Sequence, residues 1–352
     1  MHTPLVARCL RGLESLVAAE VVRSGLGAVT DLRHREVHFR APRSAPPLRT
    51  ADDVFLLAAR RPDAGAARQA PRELTALAAL TDLDGLLPLR HTATAPTAVD
   101  VSASFLGRRA FTRYDAEDAV GEALAERLGV PYHSRRTGAA PPPGSCGWRL
   151  TLDGTRATLM LRVDDRPLHR RPYKRHTLPG TLHPPLAAAM AALADIGPGQ
   201  SVLDPCCGAG TLLIEGALAR PDARFQGFDL SSEAVGAARA NAGGLPVSVR
   251  RGDAGRLPLP DGAADRVLCN PPWGAQVTAG GLLAGAPDRW WTEVRRVLAP
   301  DGAAVLLLPG RDDLAAAIRH GFTPAHTQRL RLSGAQPFLV RLTSADSHRG
   351  RR

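Results

Sequence analysis

The segment Asn270-Pro271-Pro272-Trp273, which directly follows the apolar run DRVLC, is suited to chemistry on an amine. The side-chain oxygen of Asn270 and the rigid backbone carbonyl of Pro271 can both accept hydrogens from an amino group. In an exocyclic amine the nitrogen lone pair is conjugated into the ring, and two acceptors favour the tetrahedral geometry that frees it for attack. Trp273 offers a flat face for an unpaired base, and such stacking is typically worth about 1–3 kcal/mol. The motif predicts group transfer to a planar amine without a tuned general base.

A second segment, VLDPCCGAGT, joins an acidic residue at the carboxyl end of an apolar strand to a glycine-rich turn. Asp204 and Pro205 precede Gly208 and Gly210, and Thr211 opens the following helix. Ligands of open α/β sheets bind at this edge, where glycine lets the backbone approach them closely. The spacing differs from the dinucleotide fingerprint GxGxxG, because a leucine stands where a third glycine would be. The turn therefore predicts a cofactor site and disfavours a nicotinamide cofactor.

Two further aspartates follow the next two predicted strands. Asp229 comes 19 residues after Gly210, where a carboxylate can accept both hydroxyl hydrogens of a ribose. Asp253 follows the third strand, where methyltransferases often hold an adenine amino group, although a loop aspartate that stabilises a turn is the alternative interpretation. Combined with residues 270–273, which we call the amine-binding motif, these positions predict S-adenosylmethionine as the cofactor.

The elements that must position these residues divide the chain in two. From residue 183 to 345, apolar strands alternate with helices, which is the sequence form of a doubly wound parallel sheet. Before residue 165 the pattern is mixed, with a hairpin signal at Asp153-Gly154, and a second hairpin is predicted at Ser333-Gly334. The predicted fold class is α/β, with a C-terminal Rossmann-like methyltransferase sheet and an N-terminal α+β region.

Residues 166–182 are predicted to form a basic linker between these regions, since several prolines forbid a continuous helix. Its cationic and aromatic side chains are predicted to bind RNA: Arg166, Arg170, Arg171, Tyr173, Lys174 and Arg175. The predicted domains are residues 1–50, residues 51–165, the linker 166–182 and the catalytic domain 183–345.

Composition limits the possible partners. A net charge of +11 attracts polyanions, and most of the excess lies before residue 176. A merely solvated, arginine-biased surface is the alternative, since Lys174 is the only lysine. The five cysteines and eleven histidines show no metal-ligand spacing, so no metal and no disulfide framework are expected. Neither a membrane span nor a signal peptide is recognisable, and we expect a cytoplasmic protein without membrane contact.

The segments DPCCGAGTLLIEGAL, GFDLS and NPPW, preceded by RRPYKRHTLPGTLHPPLAAAM, closely resemble the THUMP-domain RNA guanine-N2 methyltransferases. That family modifies tRNA, and relatives act on large-subunit ribosomal RNA. The likeness spans residues 160–342. The opening CLRGLESLVAAEVVRSG resembles the family's GLE motif, within a ferredoxin-like unit that leads into the THUMP RNA-binding domain. Two features depart from the family: Trp273 replaces the commoner tyrosine or phenylalanine, and residues 41–147 are short and rich in proline and alanine for a THUMP domain.

The resemblance implies that residues 1–50 are the ferredoxin-like unit and 51–165 the THUMP-like region. It further implies that Asp204, Gly208 and Gly210 hold the methionine part of S-adenosylmethionine, Asp229 its ribose, and the NPPW motif the guanine amino group. The predicted function is methylation of a guanosine N2 in RNA, with tRNA as the expected substrate. Alternatives are N6-adenine methylation of nucleic acid, glutamine methylation of a protein, and a non-catalytic RNA-binding protein that retains S-adenosylmethionine.

Overall fold

Two units, each with its own sheet, make up the structure, a computed structural model that describes residues 2–42, 48–92, 94–272, 278–332 and 334–344. The first unit contains the residues up to Cys9 together with Val17–Leu168. The second contains Leu10–Leu16 and the residues from His169 onward.

The first unit holds a mixed sheet. Among the described residues its elements are β1 (Thr3–Arg8), α1 (Glu14–Arg23, which begins in the second unit), β2 (Ala28–Arg33), β3 (Glu36–Ala41), β4 (Asp53–Pro62), α2 (Ala70–Ala79), α3 (Leu83–Leu86), β5 (Ala98–Phe105), α4 (Arg113–Leu128), β6 (Tyr132–His133), β7 (Ser145–Leu152) and β8 (Arg156–Arg162). The strand order is β2-β3-β1-β4-β8-β7-β5-β6. Strand β5 runs parallel to β6 and β7, and the other neighbours are antiparallel.

Local chemistry explains several of these elements. The hydroxyl of Thr112 accepts a hydrogen bond from the backbone of Asp115, whose carboxylate accepts one in return, so α4 begins with a capping box. Helix α4 ends at Gly129, which has a φ of 66°. The predicted hairpin at Asp153-Gly154 is confirmed: β7 and β8 pair antiparallel, and the Asp153 carboxylate accepts hydrogen bonds from two backbone N–H groups of the turn.

The second unit holds a largely parallel sheet covered by helices. Its described elements are α5 (Pro184–Ala194), β9 (Ser201–Asp204), α6 (Thr211–Ala219), β10 (Arg224–Asp229), α7 (Ser232–Ala242), β11 (Val247–Arg251), β12 (Ala264–Cys269), α8 (Asp288–Val297), β13 (Leu298–Leu308), α9 (Arg311–Arg319), β14 (Phe322–Arg329) and β15 (Phe338–Ser344). The order is β11-β10-β9-β12-β13-β15-β14, with β15 antiparallel to both neighbours. The order reverses between β9 and β12, which is the switch point of a doubly wound sheet. The predicted fold class is confirmed.

Packing in the second unit agrees with the hydrophobic pattern. Trp290 and Trp291 on α8 are buried against the sheet, with ring centroids 4.7 Å apart in an edge-to-face arrangement. The C-terminal hairpin formed by β14 and β15 is present; Ser333 of its predicted turn lies outside the described residues.

The domain boundaries inferred from the sequence stay predictions. Strands from both sides of residue 50 pair with each other, since β1 lies beside β4. A search of the described residues finds no helix that is long and apolar enough to cross a membrane. The same residues contain no group of three or more histidine, cysteine, aspartate or glutamate side chains that could hold a metal ion.

Two helical glycines allow a test of the packing. A Cβ at Gly236 on α7 would have no described heavy atom within 4 Å beyond its own helix and chain neighbours, whereas one at Gly216 on α6 would lie 2.6 Å from a ring carbon of Phe225. Alanine in place of glycine stabilises a helix interior by about 0.5–1 kcal/mol. We expect Gly236→Ala to raise the urea midpoint of unfolding and Gly216→Ala to lower it. Equal gains in both variants would contradict the close approach of α6 to Phe225.

Candidate active site

The carboxyl ends of three parallel strands meet at the switch point. Strand β9 pairs with β10 on one side, with Gly227 opposite Asp204, and with β12 on the other, with Val267 opposite Leu203. Asp204 and Asp229 are the last residues of their strands, and Asn270 directly follows β12. The fold therefore brings three of the predicted site residues to one edge of the sheet.

The glycine turn between β9 and α6 has the backbone geometry that a ligand cradle needs. Gly208 and Gly210 have φ values of 50° and 80°, in the left-handed region that favours glycine. No described heavy atom outside the adjoining chain lies within 4 Å of where a Cβ of Gly208 would stand, so the turn is open there. A Cβ at Gly210 would lie 3.1 Å from the Cβ of Ala238, so this glycine lets α7 approach. Pro205 and Thr211 flank the turn and are buried.

The Asp229 carboxylate is fixed in place by backbone donors. One oxygen accepts a hydrogen bond from the N–H of Gly208 at 2.9 Å, and the other accepts one from the N–H of Ser231, also at 2.9 Å. Each carboxylate oxygen can accept a further bond, and the side chain is half-buried rather than sealed. An oriented carboxylate beside the open turn fits the hydroxyl groups of a ribose.

Asp204 lies under the turn rather than in it. The residue is 1% exposed, its carboxylate accepts a hydrogen bond from the N–H of Cys206 at 3.1 Å, and the thiol of Cys269 is a second partner. Burial raises the pKa of Asp204 to about 7, and the nearby charge of Asp229 acts in the same direction. Burial also raises the pKa of the Cys207 and Cys269 thiols, which suits small apolar packing groups rather than nucleophiles.

Asp253 has local partners for both carboxylate oxygens. One accepts from the N–H of Gly255 at 2.8 Å and the other from the N–H of Leu282 at 2.9 Å. The side chain thereby joins the loop after β11 to the turn at Gly281–Leu283. This geometry is what the turn-stabilising interpretation requires, and the role in holding adenine stays a prediction.

The amine-binding motif follows β12 with its amide oriented. The Nδ2 atom of Asn270 lies 3.5 Å from the carbonyl oxygen of Gly180, which can only accept a hydrogen. The Oδ1 atom is thereby left to act as an acceptor. Pro271 is buried and Pro272 is half-buried. Trp273 lies outside the described residues.

The linker bonds to the second unit at several points. Arg171 and Tyr173 both donate to the same oxygen of Glu215, at 2.9 and 2.7 Å, and Glu215 on α6 is fully buried. Arg166, Arg170 and Arg175 are exposed, and burial lowers the pKa of the half-buried Lys174. The RNA-binding role of all six residues stays a prediction, but Arg171 and Tyr173 also anchor the linker.

Sequence reasoning missed two buried polar residues of this site, Glu215 and Asn241. Both carry a signal that could have been noticed. Glu215 interrupts the otherwise apolar helix TLLIEGALA, and Asn241 is a poor helix former within α7. Polar residues at buried helix positions are normally hydrogen-bonded, so each predicts a partner elsewhere in the chain.

The ionisation of Asp204 makes stability depend on pH. Its pKa is about 7 in the folded chain, against an ordinary value of 3.8. The folded state therefore holds an extra proton between these values, and this contribution to stability is lost as the pH rises through 7. We expect Asp204→Asn to become progressively more stable relative to the natural chain between about pH 4 and pH 7, as measured by urea unfolding. A difference that does not change with pH would show that Asp204 ionises normally.

Comparisons with known proteins identify the family to which the chain is similar. Residues 171–335 match the family model of the RMKL-like methyltransferase domain, UPF0020. The chain is 33% identical over 344 residues to the tRNA (guanine(6)-N2)-methyltransferase of Thermus thermophilus, covering 93% of this chain and 95% of that protein. The crystal structure of TrmN from Thermus thermophilus superposes with a TM-score of 0.75 and 29% identity, over 97% of this chain and 100% of that one.

A second relative matches only part of the chain. The U6 snRNA (guanine-N(2))-methyltransferase THUMPD2 of Mus musculus is 33% identical over 174 residues, which is 46% of this chain and 32% of that protein. The long alignment with the Thermus enzyme covers nearly all of both chains and is the stronger evidence. The chain belongs to the family of RNA guanine-N2 methyltransferases with an RMKL-like methyltransferase domain.

Proposed function

We propose that this chain transfers a methyl group from S-adenosylmethionine to the exocyclic N2 of a guanosine in RNA, with tRNA as its substrate. The observation that carries the proposal is the placement of Asn270 beside the glycine turn, at the carboxyl ends of the paired strands β12 and β9. A residue that binds the target amine next to a cofactor turn brings the methyl donor and the amine that receives the methyl group into one cleft. The Thermus relative that matches over the whole chain is named for this chemistry on tRNA.

The residues at the turn fit S-adenosylmethionine. The open space over Gly208 admits the methionine part, with Gly210, Pro205 and Thr211 shaping the turn. The oriented carboxylate of Asp229 is suited to the ribose hydroxyls, and Asp204 supports the turn from below. We assign the adenine amino group to the loop of Asp253. When bound, this cofactor supplies an electrophilic methyl group on a sulfonium centre.

The protein's part in the transfer is to prepare the amine. The Oδ1 of Asn270 and the carbonyl oxygen of Pro271 accept the two hydrogens of the amino group and draw its nitrogen toward tetrahedral geometry. Pro272 stiffens the backbone that carries these acceptors. The proton released after transfer passes to water, since a protonated secondary arylamine is a strong acid. Trp273 supplies the stacking face for the base.

Several exposed cations are available for the RNA backbone. Arg166, Arg170 and Arg175 project from the linker. Arg175 also lines a cavity of about 440 Å³, together with residues 176–178 and with Glu233, Gly236 and Ala237. We assign this linker surface to phosphate contacts and the N-terminal α+β unit, as a THUMP-like module, to capture of the folded RNA. A cytoplasmic location is part of the same proposal.

The catalytic role of Asn270 can be tested with labelled S-adenosylmethionine and separate tRNA, ribosomal RNA and duplex DNA, followed by nucleoside mass spectrometry. We expect N2-methylguanosine from tRNA. Because an acceptor that acts in the transition state is lost, Asn270→Ala should lower the rate about 10²–10³-fold. N6-methyladenosine as the product would replace the proposed substrate, and unchanged activity of the variant would refute the role of Asn270.

A second variant separates binding from transfer in this test. Asn270→Ala should bind S-adenosylhomocysteine as the natural chain does, because residue 270 is assigned to the target amine and not to the cofactor. Asp229→Ala should weaken that binding instead. The matched control is Asp222→Ala, since Asp222 is exposed and precedes the opposite end of β10. Equal affinities in the Asp229 and Asp222 variants would exclude the ribose assignment.

The phosphate contacts of the linker predict a salt effect. Each contact adds roughly one unit to the slope of log affinity against log salt. We expect the double charge reversal Arg166→Glu with Arg170→Glu to weaken tRNA binding and to reduce this slope by about two. The double reversal Arg311→Glu with Arg319→Glu, on the exposed surface of α9, carries the matched charge change and should leave the slope unaltered. If the linker variant keeps the slope of the natural chain, these arginines make no phosphate contacts.

A further inference from the structure

Asn241, near the end of α7, bonds simultaneously to the glycine turn and to the linker. Its Oδ1 accepts hydrogen bonds from the N–H groups of Arg175 and His176, at 3.0 and 2.9 Å. Its Nδ2 donates to the carbonyl oxygen of His176 at 2.9 Å and to that of Ala209 at 3.0 Å. All four hydrogen-bonding positions of the amide are therefore used, and the residue is only 3% exposed.

These partners belong to two segments that the sequence separates widely. Ala209 lies between Gly208 and Gly210, so its carbonyl is part of the turn that we assign to the cofactor. Arg175 and His176 begin a segment that we call the strap, residues 175–180. At its other end the strap carries Gly180, whose carbonyl oxygen faces the Asn270 amide. One buried side chain thus links the cofactor turn to the segment that orients the amine acceptor.

The strap has a further restraint that favours transmission along it. The N–H of Leu178 donates to the hydroxyl of Thr181 at 2.7 Å, and the N–H of Thr181 donates to the carbonyl of Leu178 at 3.0 Å. Gly180 lies inside this closed turn with a φ of 76°. A turn held in this way moves as a piece, and one residue, Thr177, separates it from His176, so a shift at His176 would reach Gly180.

We propose that Asn241 is a positioning residue that couples occupancy of the cofactor turn to the placement of the strap, and through Gly180 to the orientation of Asn270. The inference deepens the proposed function and rests on it for the transfer step. Binding of a ligand in the turn fixes the Ala209 carbonyl. The Asn241 amide is rigid and planar, so fixing its Nδ2 also fixes the Oδ1 that holds the strap. Asn270 is therefore correctly oriented to bind the target amine when the methyl donor occupies the turn.

The test uses two substitutions at Asn241 and a control on the same helix. Asn241→Asp keeps the shape of the side chain and one acceptor but turns an oxygen toward two carbonyl oxygens. Asn241→Ser shortens the side chain, so that it no longer reaches both the strap and the glycine turn. Arg239 provides the matched control, because its guanidinium donates twice to the carbonyl of Val249, at 3.0 and 2.7 Å, away from the turn. Arg239→Met should lower the melting temperature without changing cofactor affinity.

Calorimetry with S-adenosylhomocysteine gives the first measurement. We expect both Asn241 variants to bind it about tenfold more weakly, the scale of a hydrogen bond or two lost beside the turn. In saturating S-adenosylmethionine they should also show a kcat at least tenfold lower, because Asn270 would be misplaced. A tenfold loss is roughly the contribution of one further hydrogen bond. Affinity and kcat equal to those of Arg239→Met would assign Asn241 a purely structural role and overturn the proposal.

Hydrogen exchange followed by mass spectrometry gives a second measurement, which needs neither RNA nor a stable variant. Addition of S-adenosylhomocysteine to the natural chain should protect the strap as well as the turn, and Asn241→Ser, where it folds, should keep protection of the turn but lose that of the strap. Protection confined to the turn in the natural chain would refute the coupling. If the natural chain binds the ligand but methylates no RNA, the proposed function fails, while binding and exchange still decide the role of Asn241.

Discussion

The parallel pairing of β9 with both β10 and β12 is the constraint on which the site depends. Parallel strands end at the same edge of a sheet, so residues that follow them must meet there even when they are far apart in the chain. Asp204, Asp229 and Asn270 each occupy such a position. The antiparallel pair formed by β14 and β15 lies on the other side of β13, away from β9 and β10. The predicted site residues Asp204, Asp229 and Asn270 are thus concentrated at the switch point, where the strand order reverses.

Polar groups at a sheet edge need partners that hold them without using up their function. The backbone N–H groups of Gly208 and Ser231 do this for Asp229, because they occupy one lone pair on each oxygen. The Gly180 carbonyl does the same for the Asn270 amide, because it takes the N–H side and leaves the oxygen. Burying such groups unpaired would cost free energy, so the partners are a condition of the fold as well as of the site.

The periodic part of this architecture could be predicted from the sequence. Apolar runs ended by Asp204, Asp229 and Asn270 indicate strand ends, and alternation with helices indicates the parallel sheet. The linker contacts could not be predicted, because Asn241 bonds backbone groups 65 and 66 residues away and leaves no periodic trace. For the same reason the pairing of β4 with β8 in the first unit was beyond local patterns. Asp253 was ambiguous because a turn aspartate and an adenine-binding aspartate look alike in sequence.

The amine-binding motif by itself does not select guanine. Two acceptors such as Asn270 Oδ1 and Pro271 O would satisfy the amino group of guanine and that of adenine equally well, so they do not tell the two bases apart. Other contacts must therefore distinguish the two bases, and in the proposed function phosphate contacts would fix the register and orientation of the RNA without reading its sequence. The linker combines the two features that such phosphate contacts would need, a fixed position and exposed cations. Arg171 and Tyr173 anchor it to Glu215, while Arg166 and Arg170 remain exposed close by in the chain. In the proposed function, this anchored cationic linker would help the RNA backbone to place the target amine at Asn270.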